Sequence, residues 1–61
     1  MTYNQAIEYL TETLKYDTEE KLINFTKEIL YDLELPINER TVKNSIITYA
    51  EYLKANLLYL N

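Results

Sequence analysis

Three pairs of acidic side chains are spaced so that they could do acid–base chemistry or hold a cation. The pairs are Glu8 with Glu12, Glu19 with Glu20, and Glu28 with Asp32. Each pair falls on one face of an expected helix or at a helix start, where solvated acids are usual. A calcium site would also need a ligand-rich loop with a glycine turn, and the sequence has no Gly. We therefore expect no catalytic residues and no metal site, and we expect that the chain is not an enzyme.

The residue types that are missing narrow the chemistry further. The 61 residues include no His, Cys, Gly or Trp. Without His and Cys the chain lacks most neutral-pH bases, catalytic nucleophiles and transition-metal ligands, and without Gly it cannot form a phosphate-binding loop. We expect no cofactor, no signal peptide and no membrane partner. So small a chain without disulfides is expected in the cytoplasm, or in the host cytoplasm if it is viral.

The charge is unevenly distributed along the chain. The net charge is −4 and the pI is about 4.6. Residues 1–39 hold nine acids and three lysines, a balance of −6, whereas residues 40–61 hold three basic residues and one acid, a balance of +2. An acidic chain disfavours a polyanionic partner overall, but the last segment keeps a local basic face.

The most specific motif is the segment 37–44, which reads INERTVKN and is followed by the apolar Ile46. It resembles the start of the recognition helix in helix-turn-helix regulators of the LuxR/GerE type, whose pattern is close to ISERTVKN. Upstream, residues 27–29 read KEI, as at the opening of the preceding helix in that family. The resemblance implies a DNA-binding regulator. Its DNA-contacting residues would be Arg40, Thr41, Lys43 and Asn44.

The same residues also fit the capped start of an ordinary amphipathic helix. Asn38 is a good N-cap residue, Val42 falls on the expected core stripe, and Arg40 and Lys43 would be solvated. The resemblance covers a short stretch of the chain, and the spacing from KEI is longer than in the family. DNA binding is therefore the alternative hypothesis and not the main one.

Apolar residues recur with helical spacing in three segments. They predict helices over about 3–16, 18–34 and 39–60 in one domain, 1–61. The expected fold is all-α, a three-helix bundle with a long C-terminal helix that dimerises, and the alternative is a dimer of helical hairpins. At 1.5 Å per residue the third helix would be roughly 33 Å long and would overhang the other two.

Capping signals predict where these helices begin and end. Thr2 with Gln5 and Asp17 with Glu20 fit capping boxes, and Pro36 is expected to stop the second helix. If the first two helices formed one straight rod, their apolar stripes would point roughly 110° apart. We therefore expect a break near Asp17.

The second helix has the widest apolar surface. Its apolar side chains cover roughly 160° of the helix, against about 100° for an ordinary surface helix, so it should be the middle element with two neighbours. The core residues expected from it are Leu22, Ile23, Phe25, Ile29, Leu30 and Leu33. Those expected from the other two helices are Tyr3, Ala6, Ile7, Leu10, Leu14, Val42, Ile46, Tyr49, Ala50, Leu53, Leu57 and Leu60.

Several large side chains fall outside the expected core stripes. These candidate interface residues are Tyr9, Tyr16, Ile47, Tyr52, Leu58 and Tyr59. A chain of this length without metal or disulfide has a marginal core, and tyrosine is enriched at interfaces. We therefore expect a homodimer, the commonest oligomer. The alternative is that the tyrosines lean over the core edge with their hydroxyls in water.

The sequence thus predicts a small, self-associating, helical protein–protein interaction module. Short, acidic, Cys-free helical proteins are typical of the accessory products of phages and mobile elements, which bind and modulate or inhibit a host factor. The partner protein cannot be named from these residues. The alternative function is the helix-turn-helix regulator that uses the start of the third helix.

Overall fold

Three α-helices make up the fold, as the sequence predicts. In the computed structural model they span Tyr3–Leu14 (α1), Glu19–Asp32 (α2) and Glu39–Leu60 (α3). The structure describes residues 1–14 and 18–60, with side chains described as far as Asn56. No strand occurs among these residues, and the helices pack against one another. The prediction of an all-α three-helix bundle is confirmed.

Two of the predicted helix caps are confirmed. At the start of α1, the backbone N–H of Gln5 donates to Thr2 Oγ1 at 3.2 Å, and the backbone N–H of Thr2 donates to Gln5 Oε1 at 2.9 Å. At the start of α3, the N–H of Thr41 donates to Asn38 Oδ1 and the N–H of Asn38 donates to Thr41 Oγ1, both at 3.0 Å. Each pair satisfies two N–H groups that have no partner within the helix.

The predicted cap of α2 is wrong by one residue. The N-cap is Thr18, whose extended backbone lets its Oγ1 accept a hydrogen bond from the N–H of Lys21 at 3.2 Å. Asp17, the predicted cap, lies outside the described residues. Asp and Thr are both good N-cap residues, so an Asp-Thr pair leaves the choice between them open in the sequence.

The end of α2 also differs from the prediction. The helix ends at Asp32, and Glu34 has a positive φ of 58°. The N–H of Leu35 donates to the Leu30 carbonyl at 2.9 Å, and the N–H of Glu34 donates to the Tyr31 carbonyl at 3.1 Å. These are the two hydrogen bonds of a Schellman motif, in which glycine usually takes the left-handed position. The motif, and not the downstream proline, ends the helix.

The middle element is α3, so the prediction that the second helix is the middle one is wrong. α3 packs against both α1 and α2, whereas α1 and α2 touch each other only marginally. Ala6 of α1 and Ala50 of α3 are fully buried, and two such small side chains let the helix backbones approach closely. The buried core consists of Ala6, Leu10, Leu22, Leu30, Val42, Ile46 and Ala50.

The long C-terminal helix is confirmed. α3 has 22 residues, against 12 in α1 and 14 in α2. It accounts for the longest dimension of the molecule, 34 Å against 22 and 19 Å. In the part of the chain that the structure describes, no helix combines the length and the apolar character that crossing a membrane requires.

Candidate functional site

The packing leaves half of the apolar surface of α2 uncovered. Leu22 and Leu30 are buried. Phe25, Ile29 and Leu33 are 41, 40 and 62% exposed, so the prediction that these three residues belong to the core is wrong. The physical reason is the position of α3: α2 has one substantial helical neighbour, where the width of its apolar arc predicts two.

The exposed side of α2 forms one wall of a groove, and α3 forms the other. Tyr49 and Tyr52 are 41 and 65% exposed, so the prediction that Tyr49 is a core residue is also wrong. The groove has a volume of about 430 Å³. We call it the α2–α3 groove; its lining residues are Phe25, Thr26, Ile29, Leu30, Leu33, Leu35, Asn44, Ser45, Thr48, Tyr49 and Tyr52.

The turn after α2 completes the apolar lining. The Schellman hydrogen bond from Leu35 to Leu30 brings these two residues together, and both line the groove. A contact between the side chains at these two positions is usual in the motif. The left-handed backbone of Glu34 therefore adds Leu35, which is half-exposed, to the groove.

The groove is lined by uncharged side chains throughout. One of its polar groups is satisfied within its own helix, because Thr26 Oγ1 donates to the Leu22 carbonyl at 2.7 Å. Among the described residues, no buried side-chain nitrogen or oxygen lacks a hydrogen-bond partner. Apolar contact area, and not charge, is therefore the main feature that the groove offers to a ligand.

The predicted interface residues fall at different places. Tyr9 and Ile47 are partly buried and pack against the core, whereas Tyr52 is exposed and lines the groove. Tyr16 lies outside the described residues, as do the side chains of Leu58 and Tyr59. The structure therefore brings Tyr52 alone of the described candidates to the groove.

Sequence reasoning missed the groove because it placed four of its exposed residues in the core: Phe25, Ile29, Leu33 and Tyr49. The wide apolar arc of α2 could have indicated the groove, because an arc of that width fits two neighbouring surfaces and not one. Ile29 and Leu33 satisfy the helical spacing of a core stripe equally well whether that neighbour is in the same chain or in another molecule.

The residues predicted to contact DNA are partly engaged in local structure. Arg40 and Asn44 are exposed, and Asn44 lines the groove. Thr41 Oγ1 takes part in the cap of α3, since it accepts from the N–H of Asn38 and donates to the Asn38 carbonyl. Residues 33–38 connect α2 to α3, and this link is longer than the turn of about 3–4 residues in a helix-turn-helix motif.

Lys43, the remaining predicted DNA contact, belongs to a cluster where the three helix starts meet. Its ammonium lies 2.9 Å from Glu39 Oε1 and 5.2 Å from the centre of the Tyr3 ring. The Tyr3 hydroxyl donates to Glu19 Oε1 at 2.9 Å. Burial, the hydrogen bond to Glu19 and the negative charge of Glu19 raise the pKa of Tyr3 to about 12. The hydrogen bond from Lys43 and its positive charge lower the pKa of Glu39.

No metal cluster is found in residues 1–14 and 18–60: no three or more acidic side chains there are placed to hold an ion together. A scan against protein-family models, a search of curated proteins and a search of solved structures each find no match to this chain. The DNA-binding function that the resemblance of residues 37–44 implies stays a prediction.

Proposed function

We propose that this chain is a protein–protein interaction domain and that the α2–α3 groove is its binding surface. The observation that carries the proposal is the uncovered half of α2. Phe25, Ile29 and Leu33 follow the spacing of a core stripe, yet each is at least 40% exposed. A helix with so wide an apolar arc is stable when a second surface covers it.

The exposed apolar area of the groove supports this proposal. An aromatic side chain presents roughly 200 Å², so Phe25, Tyr49 and Tyr52 together leave roughly 300 Å² exposed. Ile29 and Leu33 extend this surface along the other wall. Exposed apolar patches on a protein surface often serve binding.

The shape and composition of the groove indicate the kind of ligand. Phe25 and Leu33 are separated by about 12 Å of helix, or two turns, along the axis of α2. Grooves of this kind receive the apolar face of a helix in many protein complexes. The tyrosines add area with a polar tip that tolerates water at the rim. We therefore expect the groove to receive a helical surface.

Site-specific photo-crosslinking tests the proposal. Tyr52 and Tyr31 are both exposed tyrosines, at 65 and 75%, but Tyr31 does not line the groove. Each is replaced in turn by the photoreactive amino acid p-benzoylphenylalanine in cells that produce the chain. We expect adducts of discrete mass from position 52 and none from position 31.

The captured protein is identified by mass spectrometry of the adduct. A single identified partner that is captured from position 52 and not from position 31, another copy of the chain included, supports the groove as a binding surface. No adduct from position 52, or equal capture from position 31, contradicts it.

A further inference from the structure

We propose that the occupant of the α2–α3 groove is a second copy of this chain, so that two copies pair about a two-fold axis with groove facing groove. The inference rests on the proposed function, because it names the partner of the same surface. Its support comes from the charge of the groove, its area, the size of the core and the exposed apolar side chains of the two walls.

No charged side chain lies in the lining of the groove, where the two copies would meet. Each copy carries a net charge of −4, so two copies repel each other at long range. The groove, however, is lined by uncharged residues, and depletion of charge is what distinguishes the core of a protein interface. Four acids are adjacent in sequence to lining residues: Glu28, Asp32, Glu34 and Glu51. All four are exposed and stay outside the lining, where water screens them.

The exposed apolar area around the groove supplies a little over half of the area that a dimer of standard size buries per partner. An interface of standard size buries roughly 800 Å² per partner, about one sixth of the 4816 Å² surface of this chain. The aromatic side chains, together with Ile29, Leu33 and Leu35, expose on the order of 450 Å² of apolar area. Asn44, Ser45 and Thr48 line the same groove and add polar surface.

The size of the core favours a partner that is always present. In the described part of the chain the core has seven buried residues, and two of them are alanines. A 61-residue chain with so small an interior gains much of its stability from any further burial. A second copy is available whenever the chain is made, so folding and pairing stabilise each other by mass action.

Both walls of the groove carry exposed apolar side chains. Leu33, the C-cap residue of α2, lies on one wall and is 62% exposed, and Tyr52 lies on the other and is 65% exposed. In a two-fold pair any contact made by one copy is repeated by the other. The ridge formed by Ile29 and Leu33 of one copy therefore packs against Tyr49 and Tyr52 of its partner, and the reverse contact occurs at the same time.

Sedimentation equilibrium of the purified chain is the first test. We expect a concentration-dependent mass that rises from 7.3 kDa towards twice that value at micromolar concentrations. The melting temperature should rise with protein concentration, since association stabilises the folded copies. A mass that stays at that of one copy up to about 1 mM, a Kd too weak for specific pairing, would overturn the inference.

Two matched variants locate the contact. Tyr52→Glu and Tyr31→Glu remove the same side chain and add the same charge, both at exposed positions of a helix. We expect Tyr52→Glu to raise the dimer Kd more than tenfold and Tyr31→Glu to change it less than threefold. Equal effects of the two variants would contradict groove-to-groove pairing.

A second measurement covers the case in which Tyr52→Glu prevents folding. Purified chain with p-benzoylphenylalanine at position 52 should give a covalent dimer on irradiation, and chain with the same residue at position 31 should not. If position 52 captures only a different protein in cells and the purified chain remains monomeric, the second copy is overturned while the proposed function stands. If position 52 captures nothing in either setting, both fail.

Discussion

Among single residues, Tyr3 of α1 makes contacts with both of the other helices, and its sequence position predicts only its packing against the core. Its ring packs against the core, its hydroxyl donates to Glu19 at the start of α2, and the Lys43 ammonium of α3 lies over its ring. Helical spacing places Tyr3 on the core stripe of α1, but the hydrogen bond joins residues 16 positions apart. Such a contact follows from tertiary packing and cannot be predicted from local sequence.

The Tyr3 hydrogen bond should make stability depend on pH in the alkaline range. Removing the hydroxyl with Tyr3→Phe should cost about 1 kcal/mol at neutral pH. The pKa of Tyr3 is raised to about 12 in the folded chain from the model-peptide value of 10.0, so the folded state holds the phenolic proton more tightly. The stabilisation is therefore fully present below pH 10 and is lost as the pH rises through 12.

Urea denaturation of the wild type and Tyr3→Phe at one fixed protein concentration measures this effect. The difference in the free energy of unfolding should be constant up to about pH 10 and shrink above it. Tyr31→Phe, at a tyrosine that is 75% exposed, is the control for general tyrosine ionisation. A difference that stays constant to pH 12 would show that the hydroxyl of Tyr3 does not contribute in this way.

At the scale of secondary structure, the end of α2 carries a strained residue. Glu34 takes a left-handed conformation, which costs a residue with a Cβ roughly 1–2 kcal/mol. It also brings a negative charge close to the C-terminus of a helix, where the dipole disfavours it. The sequence has no Gly, so a non-glycine residue must occupy this position if the Schellman motif is to form.

Replacing Glu34 by Gly should therefore stabilise the chain. The relief of strain is partly offset by the greater freedom of glycine in the unfolded state, which leaves a net gain of about 0.5–1 kcal/mol and a rise in melting temperature of a few degrees. Glu34→Ala is the control, because it removes the charge but keeps the Cβ. If thermal denaturation shows no advantage of Gly over Ala, strain at Glu34 is not the cause.

The three helices were largely predictable, because capping residues and apolar stripes are local features of the sequence. Thr2 with Gln5 and Asn38 with its helix start are short-range capping patterns, and the buried residues all lie on the predicted stripes. The order of packing was not predictable. It depends on the packing of α1 against α3, two helices that are far apart in the sequence. The apolar arc of a helix does not indicate which other helix will cover it. Phe25, Ile29, Leu33 and Tyr49 were consequently recognised as helical and apolar but placed in the core, whereas they are exposed.

At the scale of the whole molecule, net charge and groove chemistry act in opposite directions. A net charge of −4 on each copy opposes association at long range, while the uncharged lining of the groove favours association at contact. A DNA-binding protein shows the reverse arrangement, since attraction between opposite charges supplies much of its affinity. The response of binding to salt therefore separates the two hypotheses.

We expect the dimer to tighten as salt is added. Raising NaCl from about 50 to 500 mM shortens the Debye length from roughly 14 to 4 Å, which weakens the repulsion between two acidic copies while the contacts inside the groove are unaffected. Sodium sulfate at equal ionic strength should tighten the dimer further, because excluded salts strengthen apolar burial. Sedimentation equilibrium across this series measures the Kd directly. A Kd that rises with NaCl would mean that opposite charges hold the complex together. Such a result would shift the interaction from the α2–α3 groove to the basic residues of α3, which are Arg40, Lys43 and Lys54.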